Sequence, residues 1–368
     1  MKKILIFLHR DDSHAGGAEE IMYNLSRFWL EHGNQVDVLF FSPVRYGGWD
    51  SLNPNLCLYY ARGGKFTRMF HLLYWFIVHR NIMYDYSFTS LVFHTSWLGI
   101  MRRIGLLKVK KMLARESTSI FNRFSGLKLM RMRLLYYLGY PAVNLLICQT
   151  DFMKDSLLSH QSWLMNYMKV CVIPNPISIE KIRKLEQEQI DICNYSPYIV
   201  AAGRYIPEKG FDLLIKAFSE FRKIYPHFHL LILGDGTERI KLQQLVENLQ
   251  IKDFVHLYGF VDNVYPYFRQ AEICVVSSRI EGFPNVLLQM MSQNNNVVST
   301  CCAGGIENIK GLYVCETNDE KAILNSILDC YKNDNKECRN FFNEELAKRD
   351  IGSFVNNIKL ALLEGQNN

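Results

Sequence analysis

The stretch Ile273-Cys274-Val275-Val276-Ser277-Ser278-Arg279-Ile280-Glu281-Gly282-Phe283-Pro284-Asn285-Val286-Leu287-Leu288-Gln289-Met290-Met291 reads as a buried strand, a polar loop and a helix. An apolar run precedes the serines, and Pro284 stands where the first turn of a helix accepts a proline. A helix that opens in this way presents unpaired backbone N–H groups and the positive end of its dipole. Phosphate and sugar oxygens bind well there, and a carboxylate such as Glu281 accepts hydrogen bonds from hydroxyls. The segment fits a pocket for an anionic sugar compound. Taken alone, it also fits the strand–turn–helix of any α/β protein.

On either side the alternation continues. Tyr198–Ala202, Leu230–Leu233, Val255–Tyr258 and Asn296–Ser299 read as strands, and Phe211–Phe221, Glu238–Asn248, Val264–Ala271 and Asn285–Ser292 as helices. Toward the N-terminus, Lys3–Leu8 is a continuous apolar strand. Ala18, Ile21, Met22, Leu25, Phe28 and Trp29 then recur at helical spacing, Gly33-Asn34 ends that helix, and Gln35–Phe41 is the next strand. Further strands are expected at Ser90–Phe93, Lys111–Ala114, Leu145–Gln149 and Val170–Ile173. The polar run Glu180–Ser196, after Pro174-Asn175-Pro176, reads as a linker. Strands separated by helices imply an α/β fold with parallel sheets covered on both faces. A chain of 368 residues exceeds what one core usually holds. Two Rossmann-like, doubly wound domains are therefore expected, 1–180 and 181–350, facing across a cleft with ligands at the carboxyl ends of the strands. The tail, 351–368, reads as a helix that either domain can claim, a return to the N-terminal one included.

Composition excludes several classes. Met1-Lys2-Lys3 leads directly into Ile4–Leu8, too short a run for a secretory signal. No apolar run reaches the ~20 residues of a membrane span, and Leu72–Val78, flanked by His71 and His79-Arg80, reads as a core or interfacial segment. The ten cysteines form no CxxC pair, and no His/Cys/Asp cluster has ligand spacing, so reduced thiols and no metal are expected. The net charge of +6 is uneven: residues 61–140 hold fourteen Lys or Arg against Asp85 and Glu116, which leaves that stretch at +12 and the remainder at −6. Basic residues interleaved with Leu, Ile, Met and Tyr suit an anionic membrane surface or a phosphorylated partner, and an ordinary solvated face is the plainer alternative. No nucleic-acid-binding signature accompanies the charge.

Two more glycine-bearing loops carry candidate chemistry. Gly16-Gly17-Ala18-Glu19 follows the first strand, where glycines let the backbone approach a phosphate or sugar. It is neither GxGxxG nor a P-loop, which removes the dinucleotide and ATP fingerprints. Gly203-Arg204 and Glu208-Lys209-Gly210 follow the strand Tyr198–Ala202. Arg204 can fork two diphosphate oxygens, and Lys209 supplies a point charge.

In this order the motifs Gly16-Gly17-Ala18-Glu19, Gly203-Arg204 to Lys209-Gly210, Gly234-Asp235-Gly236 and Glu281-Gly282-Phe283-Pro284-Asn285 resemble those of retaining glycosyltransferases of GT-B fold in family GT4. The resemblance covers nearly the whole chain, most specifically Tyr198 to Asn308, and Ile173-Pro174-Asn175-Pro176 matches the family's crossing into its second domain. It implies that Arg204 and Lys209 hold the donor diphosphate and that Glu281 accepts hydrogen bonds from donor-sugar hydroxyls. Gly203 and the backbone of Phe283, Pro284, Asn285 and Val286 would help cradle sugar and phosphate, while Gly16 and Gly17 approach the diphosphate from the other domain. His94, in Phe93-His94-Thr95-Ser96, resembles a family histidine near the reacting sugar; a purely structural histidine stays open. The sequence departs from the family at Gln289, where a second Glu would bind the nucleotide ribose. An amide can still accept and donate there, without charge assistance.

The implied activity is transfer of a sugar from a UDP- or GDP-sugar to a hydroxyl of a glycan acceptor, with no metal or other cofactor. The expected acceptor is lipid-linked, in surface polysaccharide (O-antigen or capsule) assembly. The enzyme would then be cytoplasmic and peripheral to the inner face of the membrane. A sugar-nucleotide epimerase of the same fold and a non-catalytic sugar-nucleotide-binding protein are the alternatives.

Overall fold

The computed structural model describes residues 1–12, 17–50, 52, 55–64, 66–118, 120–333 and 335–364. The chain divides into two units, one of Met1–Pro176 with Ile351–Asn368 and one of Ile177–Asp350.

Unit 1 begins β1 (Lys3–Leu8), α1 (Gly17–Glu31), β2 (Gln35–Phe40), β3 (Leu56–Tyr60), α2 (Thr67–His79), β4 (Met83–Thr89) and α3 (Val92–Arg103). It continues with β5 (Lys108–Arg115), α4 (Ile120–Arg123), α5 (Gly126–Gly139), β6 (Leu145–Cys148), α6 (Asp151–Gln161) and β7 (Lys169–Val172). Unit 2 runs α7 (Ile179–Leu185), β8 (Tyr198–Ala202), α8 (Phe211–Ile224), β9 (His229–Leu233), α9 (Arg239–Asn248), β10 (Val255–Gly259) and α10 (Tyr265–Gln270). Then come β11 (Ile273–Val276), α11 (Asn285–Gln293), β12 (Val297–Thr300), β13 (Tyr313–Cys315), α12 (Glu320–Lys332) and α13 (Cys338–Lys348), and α14 (Ile351–Glu364) returns to unit 1.

Both sheets are wholly parallel. Their orders are β3-β2-β1-β4-β5-β6-β7 and β10-β9-β8-β11-β12-β13. The first strand of each unit lies inside its sheet, and the winding reverses beside it, between β1 and β4 and between β8 and β11. Loops leaving the strands at such a switch point have no helix covering the gap between them, which is where α/β sheets hold ligands. Each sheet buries apolar side chains on both faces. In unit 1, α2, α3 and α5 cover one face through Leu72, Trp75, Phe76, Leu98 and Tyr136, while α1 and α14 cover the other through Ile21, Leu25, Phe354 and Ile358. Continuous runs such as Ile4–Leu8 and Tyr198–Ala202 form these central strands because both faces exclude water.

Two expectations require correction. Ser90–Phe93 is not a strand: β4 ends at Thr89, and Val92 already belongs to α3. Val92, His94, Thr95, Ser96 and Leu98 of that helix are buried, and a helix buried nearly all round offers no amphipathic period to separate it from a strand. The strand before it carries Asp85 and Ser87, which break its apolar run. Asp85 accepts from the Lys3 N–H (2.9 Å) and from Lys110 (2.7 Å), so its charge is satisfied at the sheet's rim. Glu180–Ser196 is not a simple linker. It contains α7, capped by Ser178 accepting from the Lys181 N–H, and it buries Ile182 and Ile192 in the core of unit 2.

Candidate functional site

The switch point of unit 2 brings together the loop from Gly203-Arg204 to Lys209-Gly210 and the loop that carries Glu281. Tyr205 fixes the loop after β8: it is fully buried, its hydroxyl donates to Ile232 O (2.6 Å), and its N–H donates to Asp235 O (2.9 Å). Its neighbour Arg204 is left exposed. At Gly234 φ is +132°, and a Cβ there would stand 2.0 Å from Gly203 O. The two turns at the ends of β8 and β9 therefore touch backbone to backbone, and no other residue type fits at 234.

Lys209 and Glu281 meet across two loops. Lys209 Nζ lies 2.7 Å from Glu281 Oε1, both side chains about one-fifth exposed, and Ser278 Oγ donates to the same oxygen at 3.1 Å. The Glu281 N–H donates to Cys302 O (2.8 Å), which ties this loop to the end of β12 as well. Burial, then the Glu281 charge, pushes the Cys302 thiol up to about 12, so no thiolate forms beside the carboxylate near neutral pH.

Arg279 fastens these loops and is a residue the sequence reading passed over. Its guanidinium forks Asp212 at 2.8 and 2.7 Å, and it also donates to Pro207 O (2.7 Å). Its N–H donates to Glu208 O (2.7 Å), and Ser277 Oγ donates to Lys209 O (2.9 Å). Gly210, at φ +62°, permits this approach, because a Cβ there would stand 2.2 Å from Ser277 O. The available signal was an arginine two residues before Glu281. Its partner lies 67 positions away and has no mark of its own.

α11 begins at Asn285 with Pro284 as its cap residue and no side-chain capping bond. Phe283 and Pro284 are buried, and the Arg349 guanidinium lies 4.5 Å from the Phe283 ring centroid. Those two side chains anchor the turn, and only their backbone is available to a ligand. Asn285, Val286 and Gln289 are half-buried on one open stripe of α11, while Leu287, Leu288 and Met290 face the core.

Unit 1 has the corresponding switch point between β1 and β4. Gly16 lies outside the described residues, and Gly17 is the exposed first residue of α1. His94 is the third residue of α3. It is 2% exposed and ringed by Phe7 (4.5 Å between ring centroids), Phe93, His9 and Phe41. Among the described residues neither of its ring nitrogens has a hydrogen-bond partner. Burial, then the charge of His9, lowers its pKa to about 3, so it is neutral near pH 7.

Beside it the ends of β5 and β6 hold a sealed polar cluster. Buried Arg115 donates to Asn175, whose amide donates to Gln149 (3.0 Å); Gln149 donates to Glu116 O (2.8 Å), and Tyr140 donates to the Glu116 carboxylate (3.0 Å). Burial raises the Glu116 carboxyl to about 7 against hydrogen bonds from the tyrosines and the Arg115 charge, which lower it. Among the described residues no group of three or more His, Cys, Asp or Glu is placed to hold a metal ion.

Comparison with known proteins finds relatives of part of the chain and structural neighbours of all of it. Residues 196–333 match the family model described as "Glycosyl transferases group 1". An uncharacterized glycosyltransferase of Methanocaldococcus jannaschii is 33% identical over 48% of this chain and 44% of its own length. The lipopolysaccharide core biosynthesis glycosyltransferase LpsE of Rhizobium meliloti is 27% identical over 57% of this chain and 64% of its own. In Campylobacter jejuni, N-acetylgalactosamine-N,N'-diacetylbacillosaminyl-diphospho-undecaprenol 4-alpha-N-acetylgalactosaminyltransferase is 26% identical over 63% and 62%. The matches thus span about half to two-thirds of these relatives. Among solved structures, Anabaena HepE in complex with UDP and glucose superposes with a TM-score of 0.78 at 16% identity, over 99% of this chain and all of that one. The chain has the GT-B fold. Within it, residues 196–333 are similar to the group 1 glycosyltransferases.

Proposed function

We propose that this chain is a retaining glycosyltransferase that moves a sugar from a UDP- or GDP-sugar to a hydroxyl of a lipid-linked glycan, in assembly of a surface polysaccharide such as O-antigen. The observation that carries the reading is the Lys209–Glu281 pair, 2.7 Å apart on two clamped loops at a switch point, beside exposed Arg204 and the uncapped start of α11. Without donor the cation and carboxylate neutralise each other. A diphosphate takes Lys209 and Arg204, and Glu281 turns to the sugar hydroxyls.

As the anomeric C–O bond breaks, the diphosphate departs with the electron pair and positive charge grows on the sugar. The acceptor oxygen bonds from the same face, and its proton passes to a diphosphate oxygen. Lys209, Arg204 and the α11 dipole oppose the charge growing on the leaving group. No metal is required in this scheme. The similarity to the Rhizobium lipopolysaccharide core and Campylobacter diphospho-undecaprenol glycosyltransferases supports the lipopolysaccharide and lipid-diphosphate context, and the basic region 61–140 supports an anionic membrane surface as partner. In that setting the enzyme works at the cytoplasmic face of the membrane.

The test is a panel of UDP- and GDP-sugars measured by thermal shift, followed by turnover with and without acceptor. One tight sugar nucleotide should raise Tm by mass action, and Lys209→Ala should abolish the shift. No shift with any donor, or an isomerised sugar nucleotide formed without acceptor, overturns the reading.

A further inference from the structure

The basic charge of unit 1 is not all available to a partner. Arg102 donates to Ala142 O (2.5 Å) and Asn144 Oδ1 (2.7 Å), Arg103 donates to Leu138 O (2.9 Å), Lys110 pairs with Asp85 (2.7 Å), and Arg115 is buried. These cations hold the unit together. Of the exposed remainder, Arg62, Arg80, Lys108 and Arg123 are scattered, whereas Lys128, Arg131 and Arg133 stand together on α5.

α5 is anchored on one side. A Cβ on Gly139 would stand 2.2 Å from Ser96 Cα, Ser96 Oγ donates to Leu135 O (2.7 Å), and Tyr136 is buried. Its other side is apolar where a solvated helix would be polar: Leu127, Met130, Leu134 and Tyr137 are 80%, 63%, 56% and 69% exposed, at spacings of three, four and three. α2 repeats the pattern. Leu72, Trp75 and Phe76 enter the same core as Tyr136, whereas Phe70, Tyr74 and Val78, four residues apart, stand exposed with Phe66 one turn before them. Both helices cover the same face of one sheet, so both outward stripes point to the same side. Residues 51–84 and 117–150 contain no Asp or Glu.

We propose that α2 and α5 form a lipid-docking face. Their apolar stripes enter the acyl boundary of an anionic leaflet, and Lys128, Arg131 and Arg133 lie at the level of the lipid phosphates. Long cationic stems reach from an apolar surface to a phosphate layer without leaving either. Charge complementarity favours lipid as the occupant, because residues 51–84 and 117–150 place no carboxylate among these cations to repel a phosphate layer. The proposal deepens the reading of a lipid-linked acceptor, since it replaces a diffuse charge attraction with an inserted face.

The test uses the full chain and flotation with phosphatidylcholine vesicles, with and without phosphatidylglycerol. The triple variant Leu127→Ser, Met130→Ser, Leu134→Ser should lose roughly tenfold or more in affinity for anionic vesicles, with every cation kept. Lys128→Gln, Arg131→Gln, Arg133→Gln should lose the preference for phosphatidylglycerol and most of the salt sensitivity. Equal flotation of the wild type and the apolar variant overturns the proposal, as does a wild type that binds no vesicle. A wild-type oligomer made monomeric by the apolar variant, with flotation unchanged, would mark a contact between copies and overturn it too. Donor-induced Tm shifts should be the same in all three proteins. A wild type that floats but shows no shift with any sugar nucleotide keeps the docking face and removes the transferase reading.

Discussion

At the strand ends of unit 2 the charged residues stand on loops, reachable from solvent: Arg204 is exposed, and Lys209 and Glu281 neutralise each other 2.7 Å apart. Beside the ends of β5 and β6 in unit 1 the polar residues are sealed. His94, Arg115, Glu116, Gln149 and Asn175 are all buried, four of them in a connected hydrogen-bond cluster. The same parallel topology thus serves two purposes. The loops at the unit 2 switch point leave their charges within reach of a ligand, and polar groups at the ends of β5 and β6 in unit 1 fix where those strands end. A loop cation costs little to rearrange, whereas a buried one is fixed by the desolvation it would suffer without its partners.

The comparison breaks first at Lys209. Lys209→Ala should lower kcat/KM about a hundredfold to a thousandfold, or about 3–4 kcal/mol, as for other groups that oppose transition-state charge. Melting temperature without donor should change little. A large loss of stability with normal turnover would show that the pair is structural, like the cluster in unit 1.

The pH dependence of stability sharpens the contrast. Glu116 has its folded pKa raised to about 7, so both states are protonated below its ordinary range and the folded state loses stability as pH rises from there to about 7. His94 has its folded pKa lowered to about 3, so stability is lost in the other direction, as pH falls from its ordinary 6.5 toward 3. Glu116→Gln should remove the fall in stability between pH 4.5 and about 7, with an effect of up to about 3 kcal/mol, and His94→Leu the opposing loss between pH 6.5 and about 3. Because neither His94 ring nitrogen has a partner among the described residues, His94→Leu should also stabilise by about 1–3 kcal/mol near neutral pH. If activity falls while Tm rises, the imidazole is retained for the reaction; unchanged activity makes it structural.

Arg279→Ala should act through position alone. Loss of the fork to Asp212 loosens both loops, and kcat should fall about tenfold, with about 1–2 kcal/mol of stability lost. Arg279→Lys should recover only part, because an ammonium cannot fork a carboxylate. The smallest effect belongs to Gln289→Glu. Donor affinity should be equal or tighter by about 1 kcal/mol at most, and a loss above about a hundredfold would exclude a ribose contact at this position.

The sequence alone determined the alternation of strands and helices, the parallel sheets and the loops that carry Arg204, Lys209 and Glu281. Those signals are local: an apolar run, a glycine, a charge and a proline within a few residues define a strand, a turn and a helix start. Helix α3 was illegible because it is buried nearly all round and has no period. Only the tertiary structure decided that Lys209 meets Glu281, that Arg279 clasps Asp212, and which of the many cations in residues 61–140 remain free to face a partner. Each of these depends on which strands become neighbours, and that is set by how whole sheets bury their faces.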